Sequence, residues 1–139
     1  MKTMIKLFLV IILICLYTNG FADDLKKKIV GKWYSPYNYE ELGERVGFHF
    51  KKNGTCESTN TEILDLKKWD LKDGMLIIEG LCKDEKTGKW EKYRTEEELE
   101  KINRDTLLVV ASREPVVIKF LYLSPKALKK KVTPPIKKK

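Results

Sequence analysis

The sequence predicts an all-β protein, an eight-stranded antiparallel up-and-down barrel. Three observations predict it. Eight short runs rich in Val, Ile, Trp, Tyr, Phe and Thr follow one another between turn residues. Most of the links are so short that sequence neighbours must pair antiparallel. No convincing helix is available to cover one face of an open sheet, so the sheet closes on itself and hides its edges. The 139 residues make one domain. With 42% hydrophobic and 10% aromatic residues the chain is globular, and 8 glycines and 3 cysteines exclude a collagen-like repeat or a disulfide-dense scaffold.

Residues 1–22 read as a secretory signal peptide. Lys2 and Lys6 form a basic start, and 7–17 is an uninterrupted apolar run of 11 residues. A membrane-spanning helix needs about 20 such residues, whereas a signal core needs fewer. Gly20 and Ala22 then suit a cut before Asp23. Cys15 lies inside the apolar run behind the bulky Ile14, not behind a small residue, so a lipoprotein is not expected. The mature product is expected in the periplasm or secreted. The net charge of +8 sits mostly at the two ends. Residues 125–139 hold seven lysines and no acid, whereas 23–124 carry 19 basic and 20 acidic residues. A near-neutral folded part gives no basic face for nucleic acid. The Lys/Pro-rich tail, 125–139, is expected to be disordered and capable of weak contact with an anionic surface.

Within the barrel domain, 23–124, a polar lead-in or single helical turn precedes the first run. The runs are 29–35, 45–52, 55–63, 67–72, 75–82, 89–101, 106–112 and 115–123. Asn53-Gly54 and Asp73-Gly74 are strong hairpin signals because their residues tolerate positive φ. Longer turns at 83–88, 103–105 and 113–114 complete the meander, with Pro115 placed to open the last strand. The long exception is 36–44, a loop crowded with Pro36, Tyr37 and Tyr39. Residues 95–98 match a helix capping box, but the chain must travel back before the Asn103 turn. Strand is therefore expected for 89–95 and onward, with a bulge.

Alternation selects the interior. Phe48 and Phe50 share one face, Trp69 and Leu71 another, and Ile78 a third; these are the candidate ligand-binding wall. The last two strands are apolar on both sides, so something covers them outside: the lead-in, the 36–44 loop or another protein.

The Gly-x-Trp at Gly31-Lys32-Trp33 opens the first strand. An aromatic strand then runs into Asn53-Gly54-Thr55, a Trp-Asp-Leu-Lys-Asp-Gly stretch begins at Trp69, and Ile102 to Leu108 follows. In this order the features resemble the lipocalins and fatty-acid-binding proteins, and most closely the small lipocalin-like domains of bacterial secreted proteins, over residues 27–123. The resemblance implies a barrel closed at one end by Gly31 and Trp33, often beneath a basic side chain, for which Arg113 is available. It also places the 36–44 loop at the open mouth, where Tyr37 and Tyr39 would grip a ligand or partner. The Thr-Asp-Tyr motif of typical lipocalins is absent.

Little chemistry is visible. His49, the only histidine, alternates with Phe48 and Phe50 and has no ligand partners, so neither a metal site nor a catalytic base is expected. There is no phosphate loop or nucleophile elbow. Glu96, Glu97, Glu98 and Glu100 form the densest acidic cluster, and their polarity suggests a solvated edge. Cys56 and Cys82 begin and end strands that run the same way with one between, so they lie near opposite barrel ends, beyond the ~7 Å a disulfide spans. The sequence thus points to an exported, monomeric, non-enzymatic barrel without cofactor that binds a small apolar or amphipathic ligand inside. The alternative is a filled barrel acting as a protein-binding envelope module, an inhibitor or accessory factor.

Overall fold

The structure is a computed structural model that describes residues 24–131. The leader with its cleavage site and the end of the tail, 132–139, lie outside the described residues. Helical residues 24–29 (α1) lead into strand β1 (Gly31–Tyr34), and helix α2 (Pro36–Leu42) follows. Then come β2 (Gly47–Phe50), β3 (Cys56–Thr59), β4 (Leu64–Lys72), β5 (Met75–Lys83), β6 (Trp90–Ile102), β7 (Thr106–Ser112) and β8 (Ile118–Leu123). Helix α3 (Pro125–Lys131) ends the described chain.

The eight strands form one antiparallel sheet in the order β3-β2-β1-β8-β7-β6-β5-β4, the expected meander wrapped round so that β1 meets β8 at Tyr34 and Leu123. The two ends of that order, β3 and β4, close the barrel without a full ladder. A single bridge joins Thr55 to Lys68, and the Trp69 amide donates to the Gly54 carbonyl at 3.0 Å. Side chains complete the seam: the Ser58 hydroxyl donates to the Leu64 carbonyl at 2.7 Å, and Trp69 Nε1 donates to the Lys51 carbonyl at 2.8 Å. These bonds satisfy edge groups that would otherwise template association.

Asp73 and Gly74 both take positive φ, 52° and 76°, as the tight hairpin requires. At the other Asn-Gly pair only Gly54 does, at 87°; the Asn53 side chain instead accepts from the Thr55 amide at 3.0 Å and so makes an Asx turn. The capping-box segment is strand throughout. Glu96, Glu97 and Glu98 pair with Ile77, Leu76 and Met75, and the bulge falls between Leu99 and Lys101. Ladder bonds on both sides outweigh a local helix preference that only a few residues express.

Two expectations are corrected. Residues 36–44 are largely a helix: Ser35 caps it through a hydroxyl bond to the Asn38 amide, Pro36 occupies its first turn, and Gly43 ends it at φ 68°. Tail residues 125–131 are also helical. Ser124 caps them by accepting from the Ala127 amide at 3.1 Å, and Leu128 is completely buried. Leu128 packs with Tyr34 and Leu123, and Leu121, Ala127 and Tyr39 gather around them. The outer cover of the last strand is therefore α3 together with α2, a contact worth about 1.5–3 kcal/mol from Leu128 alone.

The base of the barrel is the end at which α1 leads into β1. Trp33 is buried and its Nε1 donates to the Ile29 carbonyl at 2.7 Å, which fixes α1 as a plug with Ile29 inside the core. Lys26 clasps Asp70 across this end at 2.8 Å. Arg113 does not cover Trp33; it pairs bidentately with Glu98 on the outer surface at 2.9 Å.

Candidate functional site

Strand directions place four links at the end away from α1: residues 35–46, 60–63, 84–89 and 113–117. A hollow of about 370 Å³ opens there between α2 and β8. Its apolar wall comes from Phe48, Leu64, Phe120 and Tyr122, and Tyr37 of α2 stands at its edge. The volume is that of a small-ligand pocket, and the few polar groups in the lining, Ser58 and Thr61 among them, are of the kind that orient a ligand. The Thr61 hydroxyl is buried and has no hydrogen-bond partner.

Below this hollow the barrel is full. Phe50, Leu71, Leu76, Ile78, Leu107 and Val109 are all less than 5% exposed. Aromatic contacts link the full half to the open half: Phe50 lies 5.4 Å from Trp69 and 5.5 Å from Phe48, and Phe48 meets Tyr122 edge-on at 5.1 Å.

A charged side chain of β6 takes an inward position in the middle of the strand. On β6 the inner positions are Tyr93, Thr95, Glu97 and Leu99, and Glu97 pairs in register with the buried Leu76. This corrects the expectation of a wholly solvated acidic cluster. Its neighbours Glu96, Glu98 and Glu100 do face out, held by Arg94 at 2.6 Å, Arg113 at 2.9 Å and Lys119 at 2.7 Å. Glu97 has no ion-pair or hydrogen-bond partner among the described residues. Burial raises its carboxyl above the ordinary 4.5. Burial, and then the Glu97 charge, also raise the Tyr122 and Tyr93 phenols.

A native carboxyl that holds its proton more tightly than the unfolded chain does makes stability fall as pH rises from about 4.5 through its raised value. Glu97→Gln, which cannot ionise, is therefore expected to be more stable than the native protein at pH 7. The gain should be up to about 1 kcal/mol, since partial exposure screens the charge. The advantage should shrink toward zero below the ordinary carboxylate value, where Glu97 is already protonated. Thermal melts at pH 4 and pH 7 check this; a Gln variant less stable at neutral pH would contradict it.

Of the expected site residues, Phe48 from alternation and Tyr37 from the 36–44 segment line the hollow. Phe50, Trp69, Leu71 and Ile78 do point inward but belong to the filled half. Tyr39 packs on the outer cluster under α3 and not in the hollow. Phe120 and Tyr122 escaped the sequence analysis as site residues, and Glu97 was placed there on a solvated edge. The i, i+2 spacing of Phe120 and Tyr122, and the run Tyr93-Thr95-Glu97-Leu99, carried the signal. Among the described residues Cys56 and Cys82 are free, Cys56 buried and Cys82 partly so; burial pushes the Cys56 thiol up to about 11, which makes it a poor nucleophile. His49 faces out, 4.0 Å from Glu57. No group of three or more His, Cys, Asp or Glu side chains converges to hold a metal among the described residues.

A polar hollow of about 440 Å³ lies among Glu44, Asn60, Thr61 and Glu62, and two others, of about 490 and 430 Å³, are open grooves on the outside. One runs over β4–β6 between Lys68, Asp70 and the Arg94–Glu79 ion pair; the other lies beside α1 among Lys26, Lys27 and Lys52. Charged side chains over sheet backbone offer no enclosing apolar wall, so the smaller mouth hollow is the better ligand site.

A small antiparallel barrel, plugged at its base by a helix and a Gly-x-Trp strand and open at an aromatic mouth, is the calycin type of binding barrel. The chain belongs to the lipocalin-like family, whose model matches residues 25–123. Barrels of this family generally bind small hydrophobic ligands and are generally not enzymes. The chain is similar to the crystal structure of a lipocalin-like protein from Bacteroides thetaiotaomicron VPI-5482, at 22% identity and a TM-score of 0.55, over 67% of this chain and 94% of that one. At that identity the likeness concerns the fold alone. No curated protein matches the chain.

Proposed function

We propose that the protein is an exported, non-enzymatic binding barrel that takes a small amphipathic ligand in the mouth half of its interior, with α2 as a fixed rim. The observation that carries this reading is the apolar hollow of about 370 Å³ above a filled base. The filled half limits the ligand to a short one and explains why only some of the inward residues can touch it. Export rests on the basic, apolar and small-residue order of residues 1–22.

The test is titration of the secreted, processed protein with Nile red, a neutral solvatochromic dye. A saturable, blue-shifted signal is expected. Phe120→Asp, at a position 44% exposed and therefore tolerant of a charge, should weaken it about tenfold by making the mouth polar. A folded protein that leaves the dye in water would end this reading. One observation favours the second reading, a protein-binding module: Val116, Val117 and Ile118 at the β7–β8 turn are 66%, 49% and 47% exposed. Pull-down of a specific envelope protein, lost on replacing these three by serine, would then be the expected result.

A further inference from the structure

Folding sorts by end the charges that the sequence spreads along the chain. A near-neutral total for 23–124 gives no sign of a basic face. The base links, 24–30, 51–55, 73–74 and 103–105, nevertheless hold six Lys or Arg against three Asp, whereas the mouth links hold four Lys or Arg against seven Asp or Glu. Helix α3 sets out from the base, where the Ser124 amide donates to the Asp105 carbonyl at 3.0 Å, and adds the exposed Lys126, Lys129 and Lys130.

The groove of about 430 Å³ beside α1 lies at this end, lined by Lys26, Lys27 and Lys52 with Asn53 and Val30. Asp70 is the one acid in its lining, and Lys26 already pairs with it at 2.8 Å. Lys27 and Lys52 are exposed and pair with no acid among the described residues. The adjoining groove shares Gly54, Trp69 and Asp70 and adds the exposed Lys68, likewise unpaired. Unpaired like charges repel one another, so their gathering adds nothing to the fold and complements an anionic partner. A lipid surface suits them better than nucleic acid, whose strands call for aromatic side chains among the cations. The exposed aromatics Tyr37, Trp90 and Phe120 all lie in the mouth half, and the apolar neighbour of the lysines is the aliphatic Val30, 37% exposed.

We propose that the base of the barrel docks on an anionic lipid bilayer, with headgroup phosphates in the groove of Lys27 and Lys52 and the mouth turned away toward water. Ammonium groups pair with phosphate oxygens, and each lysine held near an anionic surface strengthens binding about fivefold. The footprint is the folded end of the barrel and not the tail alone. It does not depend on the mouth hollow taking a ligand.

The probes are vesicles of phosphatidylglycerol and of phosphatidylcholine, which differ in headgroup charge. Co-sedimentation of the processed protein at low ionic strength is expected with phosphatidylglycerol alone, and to be lost as salt is raised. Lys27→Gln with Lys52→Gln should weaken it about thirtyfold, whereas Lys27→Arg with Lys52→Arg, which keeps both charges, should stay within about twofold. Trp90 is exposed while Trp33 and Trp69 are buried, so it reports on the mouth: acrylamide should quench it equally on and off the vesicles. Binding that survives the Gln pair would leave the tail as the contact and overturn the docking face. Shielding of Trp90 with a blue shift would mean that the mouth inserts instead. Equal binding to phosphatidylcholine, or equally tight binding of duplex DNA, would remove anionic lipid as the partner.

Discussion

Phe50→Ala is expected to cost about 3–5 kcal/mol of stability, the range for deleting a fully buried aromatic side chain. Phe50 is 0% exposed and is the largest of the completely buried side chains. It stands between Trp69 and Phe48 at ring distances of 5.4 and 5.5 Å, at the boundary between the filled base and the open mouth. Backbone ladders on both sides hold β2 in place, so the hole cannot simply collapse. Denaturant unfolding followed by the fluorescence of Trp33 and Trp69 would measure the loss. Because Phe48 lines the hollow and rests on Phe50, ligand binding should weaken as well. A variant within about 1 kcal/mol of the native protein would mean that the lower barrel is not packed as described.

Gly47→Ala is expected to be nearly as damaging although it adds a single methyl. A Cβ at this position would overlap the Trp33 carbonyl oxygen and lie 2.9 Å from both the Trp33 carbonyl carbon and the Tyr34 Cα. All three are backbone atoms of β1, so no rotamer change relieves the clash. The β1–β2 pairing from Tyr34↔Gly47 onward would have to open, at a cost of about 3 kcal/mol, the upper part of the overpacking range. β1 carries the Trp33 that seals the base, and it is also the strand that closes the barrel on β8, so both features should loosen together. Gly43→Ala is the control. Nothing lies within 4 Å of its Cβ, and only its φ of 68° resists, so about 1 kcal/mol is expected. Equal melting temperatures for the Gly47 and Gly43 variants would remove the close approach as an explanation.

Much of the fold was legible because its signals are local. Asp73-Gly74 dictates a hairpin within four residues, and the alternation of Phe48 and Phe50 against His49 assigns faces without any knowledge of neighbours. Helix α2 was read as a loop from its aromatic and proline content, although Ser35-Pro36 at one end and Gly43 at the other are cap residues. The candidate site was legible only in part. Tyr37 and Phe48 reach the hollow, but Phe50, Trp69, Leu71 and Ile78 share their inward direction and meet no empty space. Lysines in 125–131 suggested a solvated tail, and the single Leu128 that reverses the reading has value only because Tyr34 and Leu123 wait for it.

By itself, then, the order of residues determined the succession of strands, the reversals between them and the face each side chain takes, since turn chemistry and a period of two act within a few residues. Tertiary structure decided where the tube is empty, what Leu128 covers and that Glu97 turns inward from β6. Those depend on the summed volumes and charges that eight strands bring to one level of the barrel, and no single strand carries that sum.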